Sequence, residues 1–287
     1  MSVTEAILPA PPRSALFVPA TRTRAIEKAA GLEADMLILD LEDATGPDDK
    51  AQARQAVAHA LDQWKNCGAI RAVRINATDT DHWRDDLAAA KGADAIVIPK
   101  IMGAQDLLGV RAVAPDNTPL WAMIETPMSL LKLRDIAEAA KGTRLAGLIA
   151  GTNDLGKSLQ LGGGAERFGL VPHLAQIVAA GRAAHIAVLD GVFNAYTDAD
   201  GFDGEARQGR ALGFDGKSLI HPSQVAPANA AFAPTPNDID WAQRVVAAFE
   251  ADNAGKGVIA MDGEMIERLH LTRARAILAR QPHGDPA

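Results

Sequence analysis

From residue 13 onward, short apolar runs alternate with Ala-rich stretches in which apolar positions recur three or four residues apart. The runs are SALFVP (14–19), MLILDLE (36–42), RAVRIN (71–76), AIVIPK (95–100), LWAMIET (120–126), LAGLIAGT (145–152), AVLDGVF (187–193) and SLIHP (218–222). Their apolar residues are continuous rather than alternating, the pattern of parallel strands buried on both faces. Between them the spacing predicts helices near 22–31, 49–64, 80–91, 104–114, 129–140, 166–183 and 203–212. Asp198 and Asp200 supply start chemistry for the last of these, and Gly213 closes it. Eight such units in about 210 residues predict an α/β fold of the closed (β/α)8 TIM-barrel type; an open doubly wound sheet more often has five or six strands.

The pattern changes after His221 and Pro222. Residues 226–238 (APANAAFAPTPND) are Pro-rich, a helix is predicted near 238–252, and a Gly-flanked segment at 253–263 leads to a final amphipathic helix near 263–280. The expected division is a catalytic barrel over 13–225 and a C-terminal helical extension, or lid, over 226–287. The extension is too short for a good core of its own, so it is expected to pack on the barrel or on a neighbouring subunit.

Composition narrows the function classes. Of 287 residues 48% are apolar but only 4% aromatic, so the core is built mainly from Ala, Val, Ile and Leu. A net charge of -7 supplies no basic field for nucleic acid or an anionic membrane. One cysteine, Cys67, excludes an intrachain disulfide and a Cys-cluster metal site. With no long apolar run and no signal-like N-terminus, a cytoplasmic location is the expectation.

In a β/α barrel the active site lies at the carboxyl ends of the strands. Those ends carry Asp40, Glu42 and Asp43, then Arg74 and Asn76, Lys100, Glu125, Asp154, Asp190 and Asn194, and His221. Glu125 and Asp154 come from neighbouring strands, and an all-oxygen pair suits a hard cation that keeps several waters, Mg2+ before Mn2+ or Ca2+. The competing reading is a pair of mouth carboxylates salt-bridged to Arg74 and Lys100. Arg74 offers a planar fork of donors for a substrate carboxylate, or else neutralises Asp40 or Glu42; the two roles are compatible.

Residues 151–158, GTNDLGKS, match the phosphate-cradling G-x-x-x-x-G-K-[ST] loop and follow an apolar strand. That loop's lysine opens a long helix, whereas here SLQL runs straight into Gly162, Gly163 and Gly164. Nucleotide hydrolysis is therefore the remote alternative, and Lys157 is expected on the surface of a short turn.

Taken in order, RSALFVPATRTR (13–24), LILDLEDA (37–44), RIN (74–76), IPK (98–100), MIET (123–126), GTNDL (151–155), GLVPHLAQIVAAGRA (169–183) and GKSLIHP (216–222) resemble the citrate lyase β subunit-like group of the HpcH/HpaI aldolase superfamily. That group includes malyl-CoA and citramalyl-CoA lyases. The resemblance implies a (β/α)8 barrel assembled as a homotrimer or homohexamer. It implies Mg2+ on Glu125 and Asp154, a substrate carboxylate on Arg74, and Asp40 and Glu42 lining the same site. It places Arg22, Arg24 and Lys28 near the phosphates of coenzyme A. It also matches Asp262, in MDGEMIE (261–267), to a lid aspartate that acts as acid/base. The chain departs from the family pattern at Thr45-Gly46 and at Pro127, positions expected to shape the substrate rim.

The expected activity is that of a carbon–carbon lyase, the Mg2+-dependent cleavage or formation of a 3-hydroxyacyl-CoA such as malyl-CoA, with acetyl-CoA and a 2-oxo acid as the other side. Alternatives are hydrolysis of the same thioester and a CoA-independent pyruvate-type aldolase. A silent ligand-binding barrel is the reading from another class.

Overall fold

The computed structural model describes residues 10–162, 167–251, 257–261 and 263–280. Eight parallel strands form a closed barrel in chain order. They are β1 (Ser14–Pro19), β2 (Met36–Asp40), β3 (Ile70–Arg74), β4 (Ala95–Ile98), β5 (Leu120–Ile124), β6 (Leu145–Ala150), β7 (Ala187–Asp190) and β8 (Gly216–Leu219). Closure is made by β1 on β8, where Ala15 pairs with Ser218 and Leu16 with Leu219. All eight predicted strands are present, and most stop one to three residues before the apolar run does. The polar residues that follow, Glu42 and Glu125 among them, therefore stand in the loops above the barrel.

Alternation within each strand divides the burial. Met36, Ile38, Ala72, Val97, Met123, Ile149 and Leu189 form one buried cluster, while Leu37, Leu39, Ile96, Ile98 and Val188 are equally buried on the other face. Trp121 belongs to that first cluster and fits only because residue 147 is glycine: a Cβ there would lie 2.2 Å from the indole ring. A chain with few aromatic residues thus spends one on filling the barrel.

Helices link the strands near the predicted positions, with informative differences. The predicted 129–140 helix is two, Pro127–Leu131 and Leu133–Thr143. Thr126 caps the first, accepting from the Ser129 amide, and Pro127 sits at the first helical position, where no N–H is needed. The Pro-rich stretch after 225 forms a helix, Val225–Phe232, with Pro227 tolerated in its first turn.

Two compact units divide the chain, Pro12–Ala231 and a second from Phe232 onward. The second contains helix Pro236–Ala251, strands β9 (Val258–Met261) and β10 (Glu264–Glu267), and helix Arg268–Ala279. Ala242, Val245, Ile266 and Ala274 form its buried cluster. The antiparallel β9–β10 pair was not predicted; the final helix starts at Arg268 rather than near 263. Gly263 takes a left-handed φ of +84°, which ends helical periodicity there and permits the reversal. No helix among the described residues is long and apolar enough to cross a membrane.

Candidate active site

The register of β2 and β3 sets the first half of the site. Asp40 and Arg74 are the last residues of adjacent strands and are paired in register. Side by side, they form a bidentate ion pair: Arg74 Nε donates to Asp40 Oδ1 at 2.8 Å and Nη2 to Oδ2 at 2.5 Å. The same carboxylate accepts the amides of Glu42 and Ala44, so it also shapes the loop above β2. Thr45 supports that loop by donating to the Asp40 carbonyl at 2.9 Å. The guanidinium lies 4.7 Å over the Phe17 ring. Burial would lower the Arg74 pKa, but the Asp40 and Glu42 charges outweigh it and hold it raised.

Glu42 extends the network. Its Oε1 accepts from Lys100 Nζ at 2.5 Å, and its Oε2 is 2.9 Å from Arg74 Nη1 without the alignment of a hydrogen bond. Burial raises the Glu42 pKa against the pull of Arg74 and Lys100. Lys100 also pairs with Asp43 at 3.0 Å. Its backbone is left-handed (φ 49°), a conformation costly for a non-glycine residue and one that clusters at functional sites. In that conformation the Lys100 amide donates to Glu125 Oε1 at 2.6 Å.

Glu125, directly after β5, is 2% exposed. Burial, then the Glu42 charge, pushes its pKa up to about 8; the Lys100 amide and Arg74 pull the other way, and Asp154 adds to the rise. Asp154 sits in the first turn of helix Thr152–Ser158, with no hydrogen bond or ion pair among the described residues. Glu125 and Asp154 line one cavity of about 400 Å³ together with Asp40, Arg74, Phe17 and Met123. No group of three or more His, Cys, Asp or Glu side chains able to hold a metal occurs among the described residues. A pair of carboxylates with open space beside them suits a hard cation that takes its remaining ligands from water and substrate oxygens.

Glycine at 151 makes this pairing possible. A Cβ there would fall 2.3 Å from Glu125 Cβ and 2.4 Å from its Oε2. Gly151→Ala is therefore expected to displace the Glu125 carboxylate, costing about 1–3 kcal/mol of stability by overpacking and weakening divalent-cation binding far more than its stability loss accounts for. Calorimetric titration of the folded variant with Mg2+ checks this, and unchanged affinity would refute it.

The structure gathers Asp40, Arg74, Glu125 and Asp154 on one cavity, with Glu42 bound to Arg74 and Lys100 just behind its wall. Arg22, just before helix Thr23–Ala29, and Arg24 and Lys28 within it are exposed and are not among the residues lining the cavity. Asp262 lies outside the described residues. Two rim residues face away from the mouth. Asn76 binds Asp86 at 2.6 Å, and Asp190 binds Lys217 and Arg167 behind the sheet. His221 Nδ1 accepts the Ser223 amide and caps a short turn. The GTNDLGKS stretch lacks the long helix of a phosphate loop, and Lys157 is exposed as expected. Helix Thr152–Ser158 begins at the motif's second residue and ends at Ser158, so Lys157 closes a seven-residue helix instead of opening a long one. Sequence reasoning placed Lys100 on the rim but missed its amide contact to Glu125, which depends on a backbone conformation that no residue pattern announces.

The HpcH/HpaI aldolase/citrate lyase family matches the chain over residues 13–222. A (3S)-malyl-CoA thioesterase of Cereibacter sphaeroides is 45% identical over 274 residues, covering 94% of each chain. The citrate lyase subunit beta of Escherichia coli is 35% identical, covering 93% of this chain and 92% of that protein. Among solved structures, protein CitE of Mycobacterium tuberculosis in complex with magnesium, acetoacetate and coenzyme A superposes with a TM-score of 0.74 at 31% identity, over 95% of this chain and 99% of that one. With its closed barrel, its acidic mouth and this match across nearly every strand, the chain belongs to the HpcH/HpaI aldolase/citrate lyase family.

Proposed function

We propose that the protein is a Mg2+-dependent enzyme acting on a 3-hydroxyacyl-CoA of the malyl-CoA class, and that it hydrolyses the thioester to the hydroxy acid and free coenzyme A. The observation that carries the reading is the convergence of Glu125, Asp154 and the Arg74 fork on one cavity. Hydrolysis is favoured over carbon–carbon cleavage by similarity to the malyl-CoA thioesterase, 45% identical against 35% for the citrate lyase subunit beta.

Glu125 and Asp154 would hold the ion, which when bound supplies positive charge to polarise substrate oxygens. Arg74, its orientation fixed by Asp40, retains donor hydrogens that the Asp40 pair does not use and can bind the substrate's terminal carboxylate. Phe17 and Met123 form an apolar wall that limits water on that side. Arg22, Arg24 and Lys28 have no ion-pair partner among the described residues, which leaves them free for the phosphates of coenzyme A. Asp262 is the proposed acid/base. In hydrolysis it takes a proton from the attacking water; in cleavage it would serve the methyl carbon of the acetyl group.

The second reading, cleavage to acetyl-CoA and glyoxylate, rests on the 35% identity to the lyase subunit. Incubation with (3S)-malyl-CoA and Mg2+, with free thiol and 2-oxo acid measured separately, decides. Thiol and malate without glyoxylate support hydrolysis, and glyoxylate with acetyl-CoA supports the lyase. If neither appears, or if turnover persists in excess EDTA, the reading fails.

A further inference from the structure

A second charged cluster lies behind β7 and β8, away from the cavity. Lys217 in β8 and Asp190 at the end of β7 are both fully buried. Lys217 Nζ donates to Asp190 Oδ2 at 3.0 Å, to Glu205 Oε1 at 2.7 Å and to the Gly191 carbonyl at 2.6 Å. Arg167 donates to Asp190 Oδ1 at 2.8 Å and pairs with Glu205 at 3.3 Å. Two cations thus face two carboxylates. Burial would raise the Asp190 pKa, but the Lys217 and Arg167 charges hold it lowered. Buried ion networks are weak devices for stability alone, since apolar replacements are often as good. What this one fixes is more telling.

Both peptide groups of Gly191 are held by the cluster. Its N–H donates to Asp190 Oδ1 at 2.8 Å, and its carbonyl accepts from Lys217. Gly191 in turn abuts Thr152, the first residue of the helix that carries Asp154. A Cβ at 191 would lie 2.3 Å from Thr152 Oγ1 and 2.8 Å from the Ala150 carbonyl. Beside that contact, Asn194 donates to Asn153 at 2.7 Å. Past the other end of the helix, Leu161 rests on Gly169, two residues beyond Arg167. Ser218, on the cavity wall, donates to the Asp190 carbonyl at 3.0 Å.

We infer that the Lys217–Asp190–Arg167–Glu205 cluster is a positioning device for Asp154, acting through Gly191 and Thr152 to hold the short helix at the height where its carboxylate meets that of Glu125. The inference rests on the proposed reading of Asp154 as a metal-holding carboxylate. Lys217 never reaches the cavity, so its effect on a bound ion is transmitted through backbone.

The test is Mn2+ binding by the full chain, followed through the spin-resonance signal of free Mn2+, with the unfolding temperature of each variant measured alongside. Lys217→Met is expected to weaken Mn2+ binding about tenfold or more, and Glu205→Gln by about threefold. Asp215→Asn serves as the control, because its pair with Arg182 at 2.8 Å precedes β8, at the end opposite the site. It should lower the unfolding temperature and leave Mn2+ affinity unchanged. A merely structural cluster would lower the unfolding temperature in all three variants and leave affinity intact in all three. Affinity within twofold of the native chain in folded Lys217→Met and Glu205→Gln overturns the inference alone; if Lys217→Met does not fold, Glu205→Gln decides. No Mn2+ binding by the unaltered chain overturns the metal reading and this inference with it.

Discussion

Glu125→Gln is expected to abolish Mg2+-dependent turnover and, at the same time, to stabilise the metal-free protein at neutral and alkaline pH. The two effects share one cause. Glutamine keeps the acceptor for the Lys100 amide but removes the charge that burial and Glu42 disfavour. The Glu125 pKa is raised from an ordinary 4.5 to about 8, a gap equivalent to roughly 5 kcal/mol at 1.36 kcal/mol per pH unit. Because the folded-state value lies above the unfolded one, the stability linked to this proton is complete below about 4.5 and is lost as pH rises through about 8. The variant does not titrate there, so its advantage over the native chain should grow across that window and level off above it. Denaturant titrations at several pH values, in EDTA, measure this. Saturating Mg2+ should reverse the order, since only the native chain gains from binding. Mg2+ binding near pH 7 should also release close to one proton, visible as a buffer-dependent heat. A variant no more stable than native in EDTA at pH 8 would sink this account of Glu125.

Arg74 carries the second large effect. Asp40 is 1% exposed and takes two hydrogen bonds from the Arg74 fork. Arg74→Met leaves that carboxylate buried without its counter-charge, at a cost of about 3–5 kcal/mol. Arg74→Lys restores a charge but not a planar fork. It should recover part of the stability while kcat/KM stays at least about a hundredfold below native, a loss of about 2.7 kcal/mol in transition-state binding. Equilibrium unfolding and steady-state kinetics on the same preparations separate the two roles. Native kcat/KM in Arg74→Lys would show that the fork is not what the substrate requires.

Much of this was legible in the residues. Buried parallel strands write themselves as unbroken apolar runs, so eight such runs announced eight strands, and polar residues closing them marked the mouth. Family motifs then pointed to Glu125, Asp154 and Arg74 together. Boundaries were less legible where a glycine or proline changed the local rule. The tail shows this at Gly263, where the expected start of a helix is strand β10 instead, and at Pro227, where a stretch read only as Pro-rich forms a helix.

What the sequence by itself determined is the succession of elements and the kind of chemistry at the strand ends, because both depend on neighbours along the chain. Which way a strand-end residue faces was decided only in the folded barrel. Asp40 and Asp190 both close apolar runs, yet Asp40 shares the inward phase of Met36 and Ile38 and reaches the cavity. Asp190 follows inward-facing Leu189, so alternation turns it outward onto Lys217. The left-handed turn at Lys100 and the bare Cα of Gly151 likewise gain meaning only against Glu125, a residue from another strand. Contacts across the barrel depend on register and closure, and these are set by packing all eight strands at once.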